Sequence, residues 1–304
     1  MYIGIDVGGT NLKAGLVDET GRIVKVERVP LDFQGPELFA ASLAELSKKV
    51  YQEGVEWVGV GLPGAVDGGD VLFTTNIPME NVPLETLFRK YLDLPLLLGN
   101  DADCAAVGEF FAGAGRGTQD FAVVTLGTGV GAGLIVNGKL RGGVTSSEAG
   151  HMVICQDGEL CNCGRRGCWE RYASATGLIQ QTEQAMEAHP ESILHKLAAE
   201  GGVEGRTAFQ AAEAGDETAL AVCRGYVNYL ASGLASLINI LRPEVVAIGG
   251  GVAGAPEHLL LEHLREIVAR ESFSRHGGQT TRILPAELGN DAGIIGAAML
   301  GRVL

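Results

Sequence analysis

A short pattern occurs twice in this chain. Gly9-Thr10-x-x-x-Ala14-Gly15-Leu16 returns 118 positions later as Gly127-Thr128-x-x-x-Ala132-Gly133-Leu134. Each copy follows an apolar run that reads as a strand, and each leads to a turn with glycine, at 21 or 138. A strand, glycine turn and strand repeated at this spacing is the trace left by a duplicated unit, so the expectation is two lobes of one topology facing each other across a cleft. With 304 residues, each lobe has enough chain for a core of its own.

The rest of the chain can be read around the two copies. Residues 2–29 predict strand, turn, strand, turn, strand, a long hairpin unit. A helix is expected over 36–53 with Leu38, Leu43, Leu46 and Val50 on one face, then a buried strand over 57–62. The segment 65–83 is rich in Pro, Asn and Gly and reads as loop, followed by a helix over 84–91, a strand over 94–98 and a helix over 103–113. Past the second copy, 172–241 reads as mainly helical. Its longest helix runs from about 216 to 241, where Pro243 stops it. A strand over 244–248, helix over 256–272, strand over 281–284 and closing helix over 291–303 complete the pattern. The expected lobes are 1–102 with 291–304, and 103–290, the latter carrying a metal-binding insert and the helical region. Hinges are expected near 101–120 and 290, with closure on a ligand.

Charge and composition exclude several classes of function. Lys and Arg number 23 against 37 Asp and Glu, a formal charge of −14, which repels nucleic acid and anionic membranes. No apolar run approaches the roughly 20 residues needed to span a bilayer, and the first strand follows Met1 directly with no leader, so a cytoplasmic location is expected. In that compartment the six cysteines need a role other than disulfides.

Three of them fall in Cys161-Asn-Cys163-Gly-Arg-Arg-Gly-Cys168-Trp-Glu170, shortly after Glu148-Ala-Gly-His151. His151, Cys161, Cys163 and Cys168 are a complete tetrahedral donor set for structural Zn²⁺, and Gly164 and Gly167 supply the turns that fold such close ligands around one ion. The bland alternative is three packing thiols, or a disulfide and a spare. Cys104, Cys155 and Cys223 read as packing residues. A metal would also fix the flanking Glu148 and Glu170, whose carboxylates suit paired ring hydroxyls of a sugar; alone they would read as solvated surface charges.

Three glycine turns, at 8–10, 127–131 and 249–251, each follow an apolar strand. Without β-carbons their backbone N–H groups can approach a phosphate, and Thr10, Asn11 and Thr128 add donors. Singly, each is no more than a tight turn; together they favour a nucleotide. Asp6 at the end of the first strand suits the accompanying Mg²⁺. Gly249-Gly250-Gly251-Val-Ala-Gly254 matches the dinucleotide fingerprint in letters, but no βαβαβ array precedes it, and no P-loop is present. Asn100-Asp101 stands where a strand hands over to a helix, the edge at which α/β sheets bind ligands. Asp101 is the expected general base for a hydroxyl, and Asn100 can donate to and accept from hydroxyls; the plain alternative is a turn or an N-cap.

These motifs, with Gly59-Val-Gly-Leu-Pro-Gly64, Leu126-Gly-Thr-Gly-Val-Gly-Ala-Gly and Ile248-Gly-Gly-Gly, resemble the ROK group of repressors, open reading frames and sugar kinases, the pattern being nearest to bacterial glucokinases. The resemblance covers essentially the whole chain and is most specific at the cysteine segment. It implies an α/β fold of two RNase H-like lobes in the actin, hexokinase and heat-shock ATPase architecture, and ATP-dependent phosphorylation of a hexose, glucose foremost, feeding glycolysis. N-Acetylmannosamine, N-acetylglucosamine, fructose or allose are the alternative substrates, and a non-catalytic sugar-binding regulator the alternative role. It implies zinc on His151, Cys161, Cys163 and Cys168, Asp101 as base, and sugar contacts from Gly64, Asn100, Asp101, Glu148, His151 and Glu170. For ATP and Mg²⁺ the matching positions are Asp6, Gly8, Gly9, Thr10, Asn11, Lys13, Gly127, Thr128, Gly129, Gly131, Gly250 and Gly251. Homodimers are usual in the family. Two departures stand out. Asn76-Ile-Pro-Met79 replaces an Asn-Leu-Pro segment ending in an aromatic, which predicts a different wall nearest the sugar. The helix-turn-helix of the family's repressors has no counterpart before the first strand, so DNA is not an expected partner.

Overall fold

The computed structural model describes residues 1–142, 146–199, 201–277 and 280–304. The chain opens with strands β1 (Tyr2–Val7), β2 (Asn11–Val17) and β3 (Ile23–Pro30), then helix α1 (Pro36–Val50) and β4 (Val58–Leu62). Next come β5 (Gly64–Asp67), β6 (Asp70–Thr74), β7 (Glu80–Val82), α2 (Leu84–Arg89), β8 (Leu96–Asn100) and α3 (Asp101–Ala112). The second copy of the motif supplies β9 (Phe121–Leu126), β10 (Val130–Val136) and β11 (Lys139–Leu140). Helices α4 (Glu170–Ala173), α5 (Ala175–Ala188), α6 (Leu194–Ala198), α7 (Thr207–Glu213) and α8 (Glu217–Leu241) follow. The last elements are β12 (Val245–Gly249), α9 (Leu261–Glu271), β13 (Arg282–Pro285) and α10 (Ala292–Met299).

The duplication is visible in the sheets. One has the order β3-β2-β1-β4-β8 and the other β11-β10-β9-β12-β13, the same arrangement of three hairpin strands followed by two later ones. In the first, β1, β2 and β3 are antiparallel while β4 and β8 run parallel to β1, so the carboxyl ends of β1, β4 and β8 share one edge. By compactness the chain falls into two units, 1–123 with 132–147 and 286–304, and 124–131 with 148–285. This division keeps α3 with the N-terminal strands, where the sequence reading drew a boundary at 102/103.

In the first unit, α1 buries Phe39, Leu43, Leu46 and Val50 in one core with the apolar residues of β1, β2 and β4. Leu38, expected on that face, is 53% exposed: it is five residues before Leu43, whereas Phe39 lies one turn away. Each such buried side chain contributes roughly 1.5–3 kcal/mol. On the other side of the sheet, α10 approaches so closely that β-carbons at Gly4 and Gly59 would fall within 3.0 Å of the Ile294 and Ala297 carbonyls. α10 crosses α3 in the same manner, with Gly296 on the Cys104 carbonyl and Gly108 on that of Ala292.

The segment expected as loop between 65 and 83 forms a third sheet, β5-β6-β7. Its strands hold four, five and three residues, too short for alternation to register, and Gly68 turns between the first two at φ +57°. Met79, read from sequence as sugar-pocket wall, is 2% exposed in the core of this unit with Ile77, so its side chain serves packing.

In the second unit, α8 spans the expected range: the Asp216 carboxylate caps it by accepting from the Ala219 N–H at 2.8 Å, and Arg242 ends it in the left-handed conformation before Pro243. None of the described helices is long and apolar enough to cross a membrane.

Candidate active site

Within the first unit, Asp6, Asn100 and Asp101 gather at the carboxyl edge of the sheet. Register places Asp6 opposite Gly61 and Gly61 opposite Gly99, so the three residues end neighbouring strands. Asn100 is the N-cap of α3: its Oδ1 accepts from the Ala102 N–H at 2.8 Å, and its Nδ2 donates to the Gly64 carbonyl at 2.9 Å. The capping alternative therefore holds for its oxygen, while one amide hydrogen is left over. Gly64 must be glycine because a β-carbon there would strike the Phe73 carbonyl. Asp101 is exposed in the first turn of α3, with Oδ1 2.9 Å from the Ala102 nitrogen. Burial raises the Asp6 carboxyl, Lys13 across the hairpin lowers it, and the negative Asp101 raises it further. Lys13 also donates to the Asn290 carbonyl at 3.4 Å. Gly8, Gly9, Thr10 and Asn11 form the exposed β1–β2 turn, closed by the Gly8 N–H on the Asn11 carbonyl at 3.0 Å.

The second unit holds the cysteine segment. The donor atoms of His151, Cys161, Cys163 and Cys168 all lie within 4.8 Å of one another. Cys163 Sγ is 3.6 Å from Cys168 Sγ, and Cys161 Sγ is 3.7 Å from His151 Nδ1. Metal–sulfur bonds of about 2.3 Å in a tetrahedron place sulfurs about 3.8 Å apart, so the cage fits zinc. All six cysteines are free thiols. The backbone N–H of Arg165 lowers the Cys163 thiol, whereas burial pushes Cys168 up to about 12, the direction a bound dication would reverse. Local backbone builds the cage: the Gly164 N–H donates to the Cys161 carbonyl at 2.9 Å and the Cys161 N–H to the Arg165 carbonyl at 2.8 Å. Gly167, at φ +79°, abuts the Cys155 carbonyl with no room for a β-carbon.

Val130 is where the cage and the second glycine turn meet. Its N–H donates to Glu170 Oε2 at 3.1 Å, and its carbonyl is covered by Gly150, which has no space for a side chain. His151 turns its Nε2 toward Glu148, 3.8 Å from that carboxylate. Trp169, between the last cage cysteine and Glu170, is fully buried; its indole N–H donates to the Tyr229 carbonyl at 3.0 Å and its ring lies on Gly233 of α8.

The same turn borders a cavity of ≈ 790 Å³. Gly127, Thr128 and Gly251 line one part of it, and Gly250, at φ +85°, packs backbone to backbone on Leu126. Gly129 lies under the Glu170 carboxylate and Gly131 is in β10. Much of the remaining wall comes from Glu204, Arg206, Phe209, Gln210 and Glu213 around α7, which sequence reasoning missed, and from Val252, Gly254, Ala255 and Pro256. Nothing in their spacing marks them, since a cavity wall built by a helix packing at a distance leaves no local motif.

The ROK family model matches residues 2–303. The chain belongs to the ROK family. Its relatives include the glucokinase of Thermotoga maritima, 38% identical over 98% of this chain and 96% of that protein, and the glucokinase of Halalkalibacterium halodurans, 37% identical over 98% and 94%. The structure resembles that of a ROK glucokinase from Streptomyces griseus in complex with glucose and AMPPNP, at 37% identity, a TM-score of 0.78 and 99% coverage of both chains. The fold expected from the family pattern is thus the one found: α/β, with two RNase H-like sheets of the actin, hexokinase and heat-shock ATPase architecture.

Proposed function

We propose that this ROK protein is an ATP-dependent hexose kinase with glucose as its preferred substrate, transferring the γ-phosphoryl group to the 6-hydroxyl. The observation that carries the reading is the single hydrogen bond between Glu170, a sugar-reading carboxylate beside the cysteine cage, and the turn that borders a nucleotide-sized cavity. Phosphoryl transfer is mainly a matter of positioning and charge, and needs these two functions adjacent. The whole-length likeness to glucokinases supports it.

In this reading Asp101 takes the proton of the attacking hydroxyl, an effect of about 10²–10⁴ in rate. Gly64, Asn100, Glu148, His151 and Glu170 hold the ring hydroxyls. Gly127, Thr128, Gly129, Gly131, Gly250 and Gly251, with Asp6, Gly8, Gly9, Thr10, Asn11 and Lys13, serve the nucleotide. Asp6 would hold Mg²⁺, which offsets phosphate charge. The His151, Cys161, Cys163 and Cys168 cage would hold zinc as a structural ion with no open position. ATP as donor fits the cytoplasm and a role in glycolysis, and the assembly proposed on family grounds is a homodimer.

A sugar panel in a coupled ADP-release assay tests the reading. Glucose should give the highest kcat/KM among glucose, N-acetylmannosamine, N-acetylglucosamine, fructose and allose. Sugar binding without ADP formation would overturn it in favour of a regulator. Asp101→Asn should lower kcat by about 10²–10⁴ while glucose still binds; near-normal turnover would remove Asp101 from its role.

A further inference from the structure

Glu170 touches more than a sugar could account for. Its Oε2 accepts the Val130 N–H at 3.1 Å, and a β-carbon on Gly129 would collide with the same oxygen. The carboxylate therefore meets the turn that joins β9 to β10 through Oε2. The helix that follows Glu170 grips that turn from its carbonyl side: the Ala175 N–H donates to the Gly127 carbonyl and the Thr176 hydroxyl to the Thr128 carbonyl, each at 2.8 Å. Gly127 and Thr128 in turn line the cavity. Behind Glu170, Trp169 is locked into α8, so the carboxylate reaches the turn from a fixed base.

We infer that Glu170 is a positioning residue for the nucleotide-binding turn, as well as a contact for the sugar. Oε2 holds the Val130 amide and so sets the orientation of the Gly127–Gly129 backbone; Oε1 is the oxygen left for a ring hydroxyl. Together with Ala175 and Thr176, this side chain then holds the phosphate turn in shape whether or not sugar is bound, and the turn is loosened if either Glu170 or the space over Gly129 changes. The inference rests on the proposed reading of the cavity as a nucleotide site.

The test is nucleotide affinity without sugar, which a purely sugar-reading residue would not move. ADP and a non-hydrolysable ATP analogue are titrated calorimetrically into the full-length wild type, Glu170→Ala, Glu170→Gln, Gly129→Ala and Gly127→Val. Glu170→Gln keeps a carbonyl acceptor for the Val130 amide and should bind nucleotide nearly as the wild type does, with weakened glucose binding. Glu170→Ala and Gly129→Ala should each bind nucleotide about three- to tenfold more weakly, the size of one hydrogen bond. Gly129→Ala retains the glutamate but pushes its carboxylate off the turn, and keeps the test open if Glu170→Ala fails to fold. Wild-type nucleotide affinity in both alanine variants, with Gly127→Val weakened, would overturn the inference and leave the cavity reading standing. Unchanged affinity in Gly127→Val, or no nucleotide binding by the wild type, would overturn the cavity reading and the inference with it.

Discussion

The Asp18 carboxylate gathers four donors at the β2–β3 turn. Its Oδ1 accepts from the Thr20 N–H at 2.9 Å, the Thr20 hydroxyl at 2.6 Å and the Arg22 N–H at 3.1 Å, and its Oδ2 from Arg22 Nε at 3.0 Å. Led by the Thr20 hydroxyl, these donors lower its carboxyl to about 2. A carboxylate whose folded pKa is depressed contributes stability that is complete above its unfolded value and is lost as pH falls through the folded one. Asp18→Ala should therefore shift the urea midpoint downward at neutral pH, and the gap to the wild type should close between about pH 4 and pH 2. A gap that persisted at pH 2 would contradict the account. At this scale the sequence was most informative where residue type dictates chemistry: three thiols and an imidazole fit only a few structures, and His151, Cys161, Cys163 and Cys168 do converge. Trp169 was passed over. Its partners, Tyr229 and Gly233, lie on a helix far along the chain, and no spacing rule connects them.

Among the elements, the helix–glycine contacts decide what can change. Gly59 on β4 has the Ala297 carbonyl where a β-carbon would go, so Gly59→Ala should cost about 1–3 kcal/mol or more through overpacking. Gly225, on an open face of α8, has nothing within 4 Å of that position, and Gly225→Ala should instead add about 0.5–1 kcal/mol from helix propensity. Denaturant midpoints at constant slope measure both, and equal effects from the two would refute the steric argument. Nothing local in the sequence shows why Gly4 and Gly59 must be glycine, since what they meet is α10, more than two hundred residues later. α8 was legible to within a residue because its start and stop are chemical: Asp216 caps it and Pro243 forbids its continuation. The small sheet β5-β6-β7 was not, because three strands this short are held by pairing with each other, and pairing leaves little local trace.

For the molecule as a whole, the duplicated glycine motif predicted the repeated strand order, and both sheets have it. The cysteine cage ties the second unit's irregular segment to its turn and helix, so removing the zinc proposed there should be felt beyond the cage. Chelation at neutral pH should lower the unfolding temperature and weaken glucose binding together, with both restored by added Zn²⁺. Unchanged glucose affinity in metal-free protein of intact fold would separate the cage from the site.

The seating of α10 also bears on how the polypeptide is made. Residues 124–131 and 148–285 of the second unit all leave the ribosome before α10 exists, whereas the sheet of the first unit is complete by β8 yet stays bare over Gly4 and Gly59. The part synthesised first is thus the part finished last, and its glycine-floored face must be shielded from other chains during translation. A chain ending before residue 286 would lack α10 and leave the face over Gly4 and Gly59 uncovered.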